Sequence, residues 1–277
     1  MVSMSRRYAV PKDEYGKKRY ESDLDPTEWT IIAPHVAQKD GPGRKRTVNI
    51  REVLNAIFYR LRSGCQWRML PKEFPPWYHV WYYYHTWRDD GTWQRINTIL
   101  RRKVRVAAGR DPEPSVASID SQSVKTTERG GEKGFDPHKL VKGRKRTILV
   151  DTIGLLLAVI VCSASIADDD AAAELLWEHG RLFPRLKRIL ADQGYTPALA
   201  ELVKRSFLFV LEIIMRPTGK RGFIPQPQRW KVERTLAWFD WSRLLGKEYE
   251  YTLSSSEADI YLASIRIMLR KLKILRE

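Results

Sequence analysis

Apolar residues recur at helical spacing through the first third of the chain. Between Asn49 and Arg62 they fall three and four positions apart, and Ser63-Gly64 is a stop signal at the end of that segment. An aromatic helix is predicted from about Trp77 to Arg88, and another from Trp93 to Val106. Short helices joined by tight turns over residues 24–106 are typical of a helix-turn-helix-like unit.

Beyond a linker at residues 107–114, short alternating segments replace the helices. Two apolar runs separated by Thr152-Ile153-Gly154 have the pattern of a strand hairpin. We predict strands at 115–120, 146–151, 155–162, 188–191 and 207–215, and helices at 168–180, 197–206, 229–244 and 257–275. This order is that of an RNase H-like α/β fold over residues 115–277. It follows the small helical domain and, before that, a loose charged leader at residues 1–23.

The charge of the chain changes this picture by indicating a polyanionic partner. The 277 residues carry 49 Lys and Arg against 33 Asp and Glu, a net charge of +16. Arg44–Ser115 holds 15 basic and 6 acidic residues, and Lys125–Arg146 holds 8 and 3. Lys and Arg near phosphates release condensed counterions. The two stretches therefore predict two phosphate-facing surfaces in place of an even, solubilising coat.

Cysteine content and hydropathy exclude several classes of protein. Cys65 and Cys162 lie far apart without a CxxC or His/Cys cluster, so neither a disulfide framework nor a zinc site is expected. The basic N-terminus has no apolar run after it, unlike a signal peptide. The most apolar stretch, Gly154–Ala164, is shorter than the roughly 20 residues that cross a bilayer. We expect a cytoplasmic, nucleoid-associated protein with no membrane partner.

Three carboxylates are the candidate chemistry. Asp120 and Asp192 each end a predicted strand, the place where open α/β sheets put their sites. At about 4 Å, two such charges repel by roughly 4 kcal/mol at an effective dielectric of 20, which a divalent cation relieves. Glu233 lies in the first turns of the helix at 229–244. Its spacing from Arg229 fits a third metal ligand and an ordinary surface ion pair equally well.

Five segments resemble bacterial insertion-sequence transposases of the insertion-sequence-five group. They are GCQWRMLPKEFPPW, IDSQSVKT, VKGRKRTILVDTIGLLLAVIV, ADQGY and RWKVERTLAWFDWSRLLGKEYE, and the resemblance runs from about Trp29 to Glu250. In that family the carboxylates of IDSQS, ADQGY and VERT form the DDE triad. The resemblance implies that Asp120, Asp192 and Glu233 are catalytic and bind Mg²⁺, with Mn²⁺ as a substitute. Arg229 matches the family's arginine four residues before the glutamate.

This sequence departs from the family's pattern around the third carboxylate. Gln226 replaces a tyrosine three residues before the arginine, and Asp240 replaces a basic or amide residue. Thr147 stands where a histidine follows GRKR, and Arg243-Leu244 replaces an arginine pair. The triad itself is intact, which favours an active enzyme.

The resemblance turns the basic stretches into predicted DNA contacts. Glycines let the backbone of Lys125–Arg146 approach phosphates beside Asp120, although a solvated hairpin tip would have the same composition. Lys125 and Lys142 are the predicted contacts nearest the scissile phosphate. The full predicted set is Arg44, Lys45, Arg46, Lys125, Lys139, Lys142, Arg144, Lys145, Arg229 and Arg243.

The aromatic helix has a predicted core face and a predicted free face. Trp77, Trp81 and Tyr84 share one side at i, i+4 and i+7, and we expect them to pack in the core. The opposite side, with His79 and Tyr82, is freer to meet DNA, where aromatic rings stack on unpaired bases.

The reaction implied by the resemblance is cleavage and joining of double-stranded DNA. Hydrolysis at the transposon ends would free a 3′-hydroxyl that attacks target DNA, and joining two ends in concert predicts a homodimer on DNA. Two other functions stay open at this point. One is an RNase H-like nuclease without strand transfer, and the other is a DNA-binding repressor that has lost catalysis.

Overall fold

The computed structural model describes residues 19–36, 48–128, 130–215 and 230–275. Within them the helices are α1 (Pro26–Val36), α2 (Ile50–Ser63), α3 (Trp77–Asp89), α4 (Thr92–Ala107), α5 (Asp168–His179), α6 (Pro197–Ser206), α7 (Trp230–Phe239) and α8 (Leu253–Ile274). The strands are β1 (Val116–Lys125), β2 (Gly134–Asp136), β3 (Val141–Asp151), β4 (Leu156–Ser163), β5 (Arg188–Ala191) and β6 (Val210–Ile213). Among these helices, none is both long and apolar enough to cross a bilayer.

The six strands form one mixed sheet. β3 lies between β4 and β1 and is antiparallel to both. β5 is parallel to β1, and β6 is parallel to β5. The short strand β2 pairs with the start of β3, next to β4. The order β4-β3-β1-β5-β6, with three antiparallel strands followed by two parallel ones, confirms the RNase H-like fold.

The sheet separates two hydrophobic clusters. Ala117 and Ile119 of β1 belong to the cluster under α5 and α6. Ile148 and Val150 of β3 belong to the other cluster, which also contains the buried sides of α4, α7 and α8. Because successive strand residues point to opposite faces, every second residue of β1 shares the face of Ile148. This alternation decides which helices surround the candidate site.

The N-terminal helices share their core with the sheet region. Phe58 of α2 and Trp93 of α4 lie in the same buried cluster as Leu262 of α8. The hydroxyl of Tyr84 donates to the Asp259 carboxylate at 2.9 Å, and the Arg60 guanidinium pairs with the same carboxylate at 3.3 Å. The domain division drawn from the sequence stays a prediction, but α1, α2, α3 and α4 share one hydrophobic core with α8.

Local signals explain the helix boundaries. The side chain of Asn49 accepts hydrogen bonds from the backbone N–H groups of Arg51 and Glu52 and so caps α2. Gly64 ends α2 in the left-handed conformation at φ 72°, which glycine adopts without steric penalty. The predicted helix at 49–62 is therefore confirmed to within one residue.

The structure also contains elements that the patterning does not predict. α1 and β2 are both new, and β1 continues five residues past Asp120 to Lys125. β3 begins at Val141, five residues before the predicted start. The expected apolar alternation is hidden there because buried Lys and Arg residues occupy the strand.

The expected core face of α3 is partly wrong. Its buried residues are Val80, Tyr84 and Trp87, while Trp81 is 43% exposed. Tyr82 is exposed, as predicted for the free face. A rotation of the helix by about one residue accounts for the difference, because α3 packs against α2, α4 and α8 through Tyr84.

Candidate active site

Asp120 lies in the middle of β1, on the face of the sheet that α7 covers. Its antiparallel partner is Ile148, and directly opposed residues share a face. Ile148 belongs to the same hydrophobic cluster as Val232 and Leu236 of α7. The Asp120 carboxylate is half-buried, and its Oδ1 accepts a hydrogen bond from the backbone N–H of Ser121 at 2.7 Å. This contact orients the carboxylate at the sheet surface.

Asp192 follows the last residue of β5 and is placed by the parallel pairing of β5 with β1. Ser118 and Leu190 are the last pair of this ladder, and continuing its register by two residues, just past the end of β5, sets Asp192 opposite Asp120. Neighbouring strands lie about 4.8 Å apart, and residues two positions on return to the same face. The backbone N–H of Gly194 donates to Asp192 Oδ1 at 2.8 Å, which holds the turn after the strand. Continued in this way, the register predicts that Asp120 and Asp192 lie side by side on one face of the sheet.

Tyr195 lies behind this pair of carboxylates and is buried in the cluster under α5 and α6. Burial raises the pKa of its phenol well above the usual value, and the negative charges of Asp120, Asp168 and Asp192 raise it further. The phenol is therefore neutral and fills the space under the site. Tyr195 belongs to the ADQGY motif, but a tyrosine at this point of the sequence does not by itself predict a buried side chain beneath the carboxylates.

Glu233 lies in the first turn of α7. The next two residues of α7 donate hydrogen bonds to the turn between β3 and β4. The Thr235 hydroxyl donates to the Gly154 carbonyl at 2.8 Å, and Arg234 donates to the Ile153 carbonyl at 2.9 Å. Gly154 has φ 80°, and a Cβ there would lie 2.9 Å from both the Arg234 and Thr235 side chains. The turn between β3 and β4 must therefore be glycine for α7 to pack as it does.

The predicted triad is only partly assembled. The Glu233 side chain is exposed, whereas Asp120 and Asp192 are half-buried. Over the ranges that the structure describes, no three His, Cys, Asp or Glu side chains converge closely enough to hold a metal ion. Two carboxylates are thus preformed on the sheet, and the third is carried by a helix on the same side.

A polar cluster supports β1 from the opposite face. The Lys139 ammonium donates to the Ser121 carbonyl at 3.2 Å and to its hydroxyl at 3.1 Å. Asp168, at the start of α5, pairs with Lys139 at 3.7 Å and with Lys145 at 2.5 Å. Burial opposes ionisation of Asp168, but the Lys145 hydrogen bond and the Lys139 charge together hold its pKa below the usual value. The acidic run at the start of α5 predicts a helix N-terminus from the sequence. It does not predict the ion pairs of Asp168, because Lys139 and Lys145 lie more than twenty residues away in the chain.

Two of the predicted DNA contacts are buried, which corrects the expectation for Arg144 and Lys145. Arg144 has no exposed surface and donates to the backbone carbonyls of Glu132, Glu250 and Tyr251 at 2.8 to 2.9 Å. Lys145 is 4% exposed and is held by Asp168 and a backbone carbonyl. A phosphate contact needs free surface donors. Both side chains bind the protein itself.

The remaining predicted contacts lie in different places. Lys125, Lys142 and Arg243 are exposed, and Lys125 pairs across the sheet with Gly143, next to Lys142. Lys139 keeps 37% of its side chain exposed while it contacts Ser121. The predicted contacts Arg44, Lys45, Arg46 and Arg229 lie outside the described residues. A small exposed cationic group thus remains around the end of β1.

Comparisons with known proteins agree with this geometry. Residues 111–265 match the family described as "Transposase DDE domain", and residues 24–97 match one described as "Putative transposase of IS4/5 family". An uncharacterized 16.2 kDa protein of insertion element IS402 from Burkholderia cepacia is 31% identical over 121 residues, covering 41% of this chain and 80% of that protein.

Among solved structures, the chain is similar to the Mos1 mariner paired end complex with Mn. That similarity has a TM-score of 0.28 and 9% identity, over 89% of this chain and 84% of the other. A TM-score this low establishes no shared fold, so the fold assignment rests on the strand order and the family. The transposase domain model alone spans more than half of the chain, and the chain belongs to the DDE transposases of bacterial insertion sequences.

Proposed function

We propose that Asp120, Asp192 and Glu233 are the catalytic carboxylates of a DNA cleavage and joining reaction. The observation that carries this proposal is the parallel register that sets Asp192 beside Asp120 on one face of the sheet. Two adjacent half-buried carboxylates repel each other, and a divalent cation between them relieves that repulsion. The helix that carries Glu233 packs on that same face.

The donor set fits a hard divalent cation. Carboxylate oxygens are the ligands that Mg²⁺ prefers, and Asp120 and Asp192 would hold it with Glu233 as the third donor. Bound Mg²⁺, or Mn²⁺ in its place, supplies charge that stabilises the developing negative charge on the scissile phosphate. Because Glu233 is exposed on α7, we expect its side chain to join the other two when the cation and DNA bind.

The residues of the chain have distinct parts in the reaction. The sheet carboxylates would hold the cation that binds the reacting phosphate, and the exposed ammonium groups of Lys125 and Lys142 neutralise neighbouring phosphates. Water attacks the phosphorus at the transposon end, the bond to the leaving 3′-oxygen breaks, and that oxygen takes up a proton. The freed 3′-hydroxyl then attacks a phosphodiester of target DNA, loses its proton and displaces a 3′-oxygen there. Since two ends must be joined together, we propose a homodimer on double-stranded DNA.

The test uses the full chain, the ends of its own element, a target duplex and Mg²⁺. Asp120→Asn, Asp192→Asn and Glu233→Gln are each expected to lower cleavage and joining at least about 100-fold, since even indirect partners of metal ligands cost 10- to 100-fold. DNA binding is measured separately and should stay within a few-fold. Glu201→Gln, an exposed carboxylate on α6, is the matched control. Cleavage at the wild-type rate in the three variants would refute the assigned site, and cleavage without joining would favour a nuclease.

A further inference from the structure

The hairpin of β2 and β3 presents apolar side chains to solvent next to the candidate site. We call residues 134–143 the tip hairpin. Its two large apolar side chains, Phe135 and Leu140, are 52% and 74% exposed. Exposed apolar residues are common singly, but these two stand on one short hairpin beside the sheet end where DNA would lie.

The tip hairpin is held rigidly against β1. The buried Asp136 carboxylate accepts hydrogen bonds from the backbone N–H groups of His138 and Lys139, both at 3.0 Å. It also accepts one from the Ser123 hydroxyl of β1 at 2.6 Å. The Lys139 ammonium reaches Ser121, the residue after Asp120. The tip hairpin is therefore held by hydrogen bonds to β1, at Ser121 and Ser123 on the face opposite Asp120.

Leu140 occupies a backbone conformation that leucine rarely adopts. Its φ is 52°, and within the described residues it is the one non-glycine residue with a positive φ. Glycine or asparagine adopts this conformation at lower cost. A leucine here buries little of its own surface in the chain, so neither backbone geometry nor core packing accounts for the residue type.

We infer that Leu140, with Phe135 exposed on the same hairpin, is a wedge that inserts between base pairs of the DNA end being cleaved. Apolar side chains that enter a base step unstack it and open the duplex. The surface charge of the tip hairpin is complementary to DNA. Lys139 and Lys142 flank Leu140, whereas the acidic residue of the tip hairpin, Asp136, is buried. This inference rests on the proposed cleavage function and adds a partner surface to it.

The experiment replaces Leu140 with residues that suit its backbone. Leu140→Gly and Leu140→Asn remove the apolar side chain without backbone strain, so loss of activity cannot be assigned to misfolding. Leu140→Met keeps an apolar side chain and should retain opening. Leu208→Gly, at a fully exposed leucine between α6 and β6, is the control. Base opening is read from the fluorescence of 2-aminopurine in the terminal base pairs, in an Asp120→Asn background that leaves the DNA intact.

We expect Leu140→Gly and Leu140→Asn to lose the fluorescence increase and to cleave paired ends about tenfold or more slowly, because unstacking costs a few kcal/mol per step. Ends with mispaired terminal bases should restore cleavage to within about twofold of wild type on the same DNA, since the duplex there is already open. Leu208→Gly should behave as wild type on both substrates.

Four results would overturn the inference. Wild-type opening and cleavage in Leu140→Gly would remove the wedge and leave the proposed cleavage function standing. A cleavage defect of Leu140→Gly that mispaired ends do not relieve would assign Leu140 another role. Loss of self-association by Leu140→Gly with normal base opening would also do so, because it would identify a second copy of the chain as the partner of Leu140. Absence of cleavage by the wild-type protein would remove the proposed function and the wedge with it.

Discussion

Arg144 and Lys142 lie two residues apart on β3, and the structure predicts opposite consequences for removing them. Arg144 is fully buried, while Lys142 is exposed opposite Phe135 on the tip hairpin. A charge count along the sequence treats both as candidate phosphate contacts. The comparison of Arg144→Met with Lys142→Met therefore separates a structural cation from a DNA-binding one on a single strand.

The magnitude for Arg144→Met follows from its partners. Its guanidinium donates to four backbone carbonyls and to the Ser256 hydroxyl at 2.9 Å, and pairs with Glu248 at 3.8 Å. Glu248 is also paired with Arg146, so it keeps one cation after the change. An unsatisfied acceptor costs about 1–3 kcal/mol, and because these carbonyl bonds are only part-buried we take the lower end, about 4 kcal/mol for the four together. We expect a loss of about 3–5 kcal/mol in the free energy of unfolding.

Two measurements are needed on each variant. In urea denaturation, a loss of about 3–5 kcal/mol at an m-value of about 3 kcal/mol/M lowers the midpoint of Arg144→Met by about 1–1.7 M. The slope of log K for DNA binding against log salt should stay unchanged. Lys142→Met should show the reverse, with stability within about 0.5 kcal/mol of wild type and a slope smaller by about 0.9. The reasoning is refuted if Arg144→Met is as stable as wild type and reduces the salt slope.

Three further predictions test other parts of the molecule. Asp192→Cys should be inactive with Mg²⁺ but regain strand cleavage with Mn²⁺, because thiolate is a poor ligand for hard Mg²⁺, and equal failure with both ions would argue against a direct metal ligand. Burial raises the pKa of Glu257 to about 7 from 4.5, helped by Glu178 and Glu174 and opposed by the Val161 N–H bond. A raised carboxyl pKa means that the folded protein holds the proton more tightly, so this group lowers stability as pH rises from about 4.5 to 7. Glu257→Gln should therefore stabilise the protein by about 1–3 kcal/mol at pH 8 and by almost nothing at pH 4, and a pH-independent effect in denaturation curves would contradict this sign. Gly154→Ala introduces a Cβ at φ 80° against Arg234 and Thr235, so stability should fall by about 1–3 kcal/mol and cleavage should fall more than DNA binding. Unchanged melting and cleavage would show that α7 does not depend on this turn.

Local signals carried much of the fold prediction. Asn49 and Gly64 delimit α2, and Thr196 caps α6 by accepting from the Leu199 N–H group, just before a proline at the first turn. Predicted β5 and α6 coincide with the observed elements because these signals lie within a few residues of one another. The strand end before Asp192 followed from the same patterning, whereas Asp120, predicted at a strand end, lies in the middle of β1.

Contacts between residues far apart in the chain could not be predicted from the sequence. The partner of Arg144 and Arg146 is Glu248, about a hundred residues away, so nothing near these cations shows that they are buried. Trp81 was assigned to the core because helical spacing gives a face but not its rotation relative to neighbouring helices. Glu233 depended on the VERT resemblance, since its exposed position on α7 gives no structural signal of metal binding.

The shared core of the N-terminal helices and α8 has a consequence for how end recognition can change. The 22-residue helix α8 packs against α1, α2, α3 and α4 as well as β4. The helical region therefore cannot be exchanged between related elements as an independent cassette, because its removal strips one whole side of α8. A chimaera with new end specificity must take α8 from the same parent as residues 24–107. In related insertion sequences of this architecture, recognition of new DNA ends would arise by substitutions on the surface of the helical region. The helical region and α8 would be inherited together.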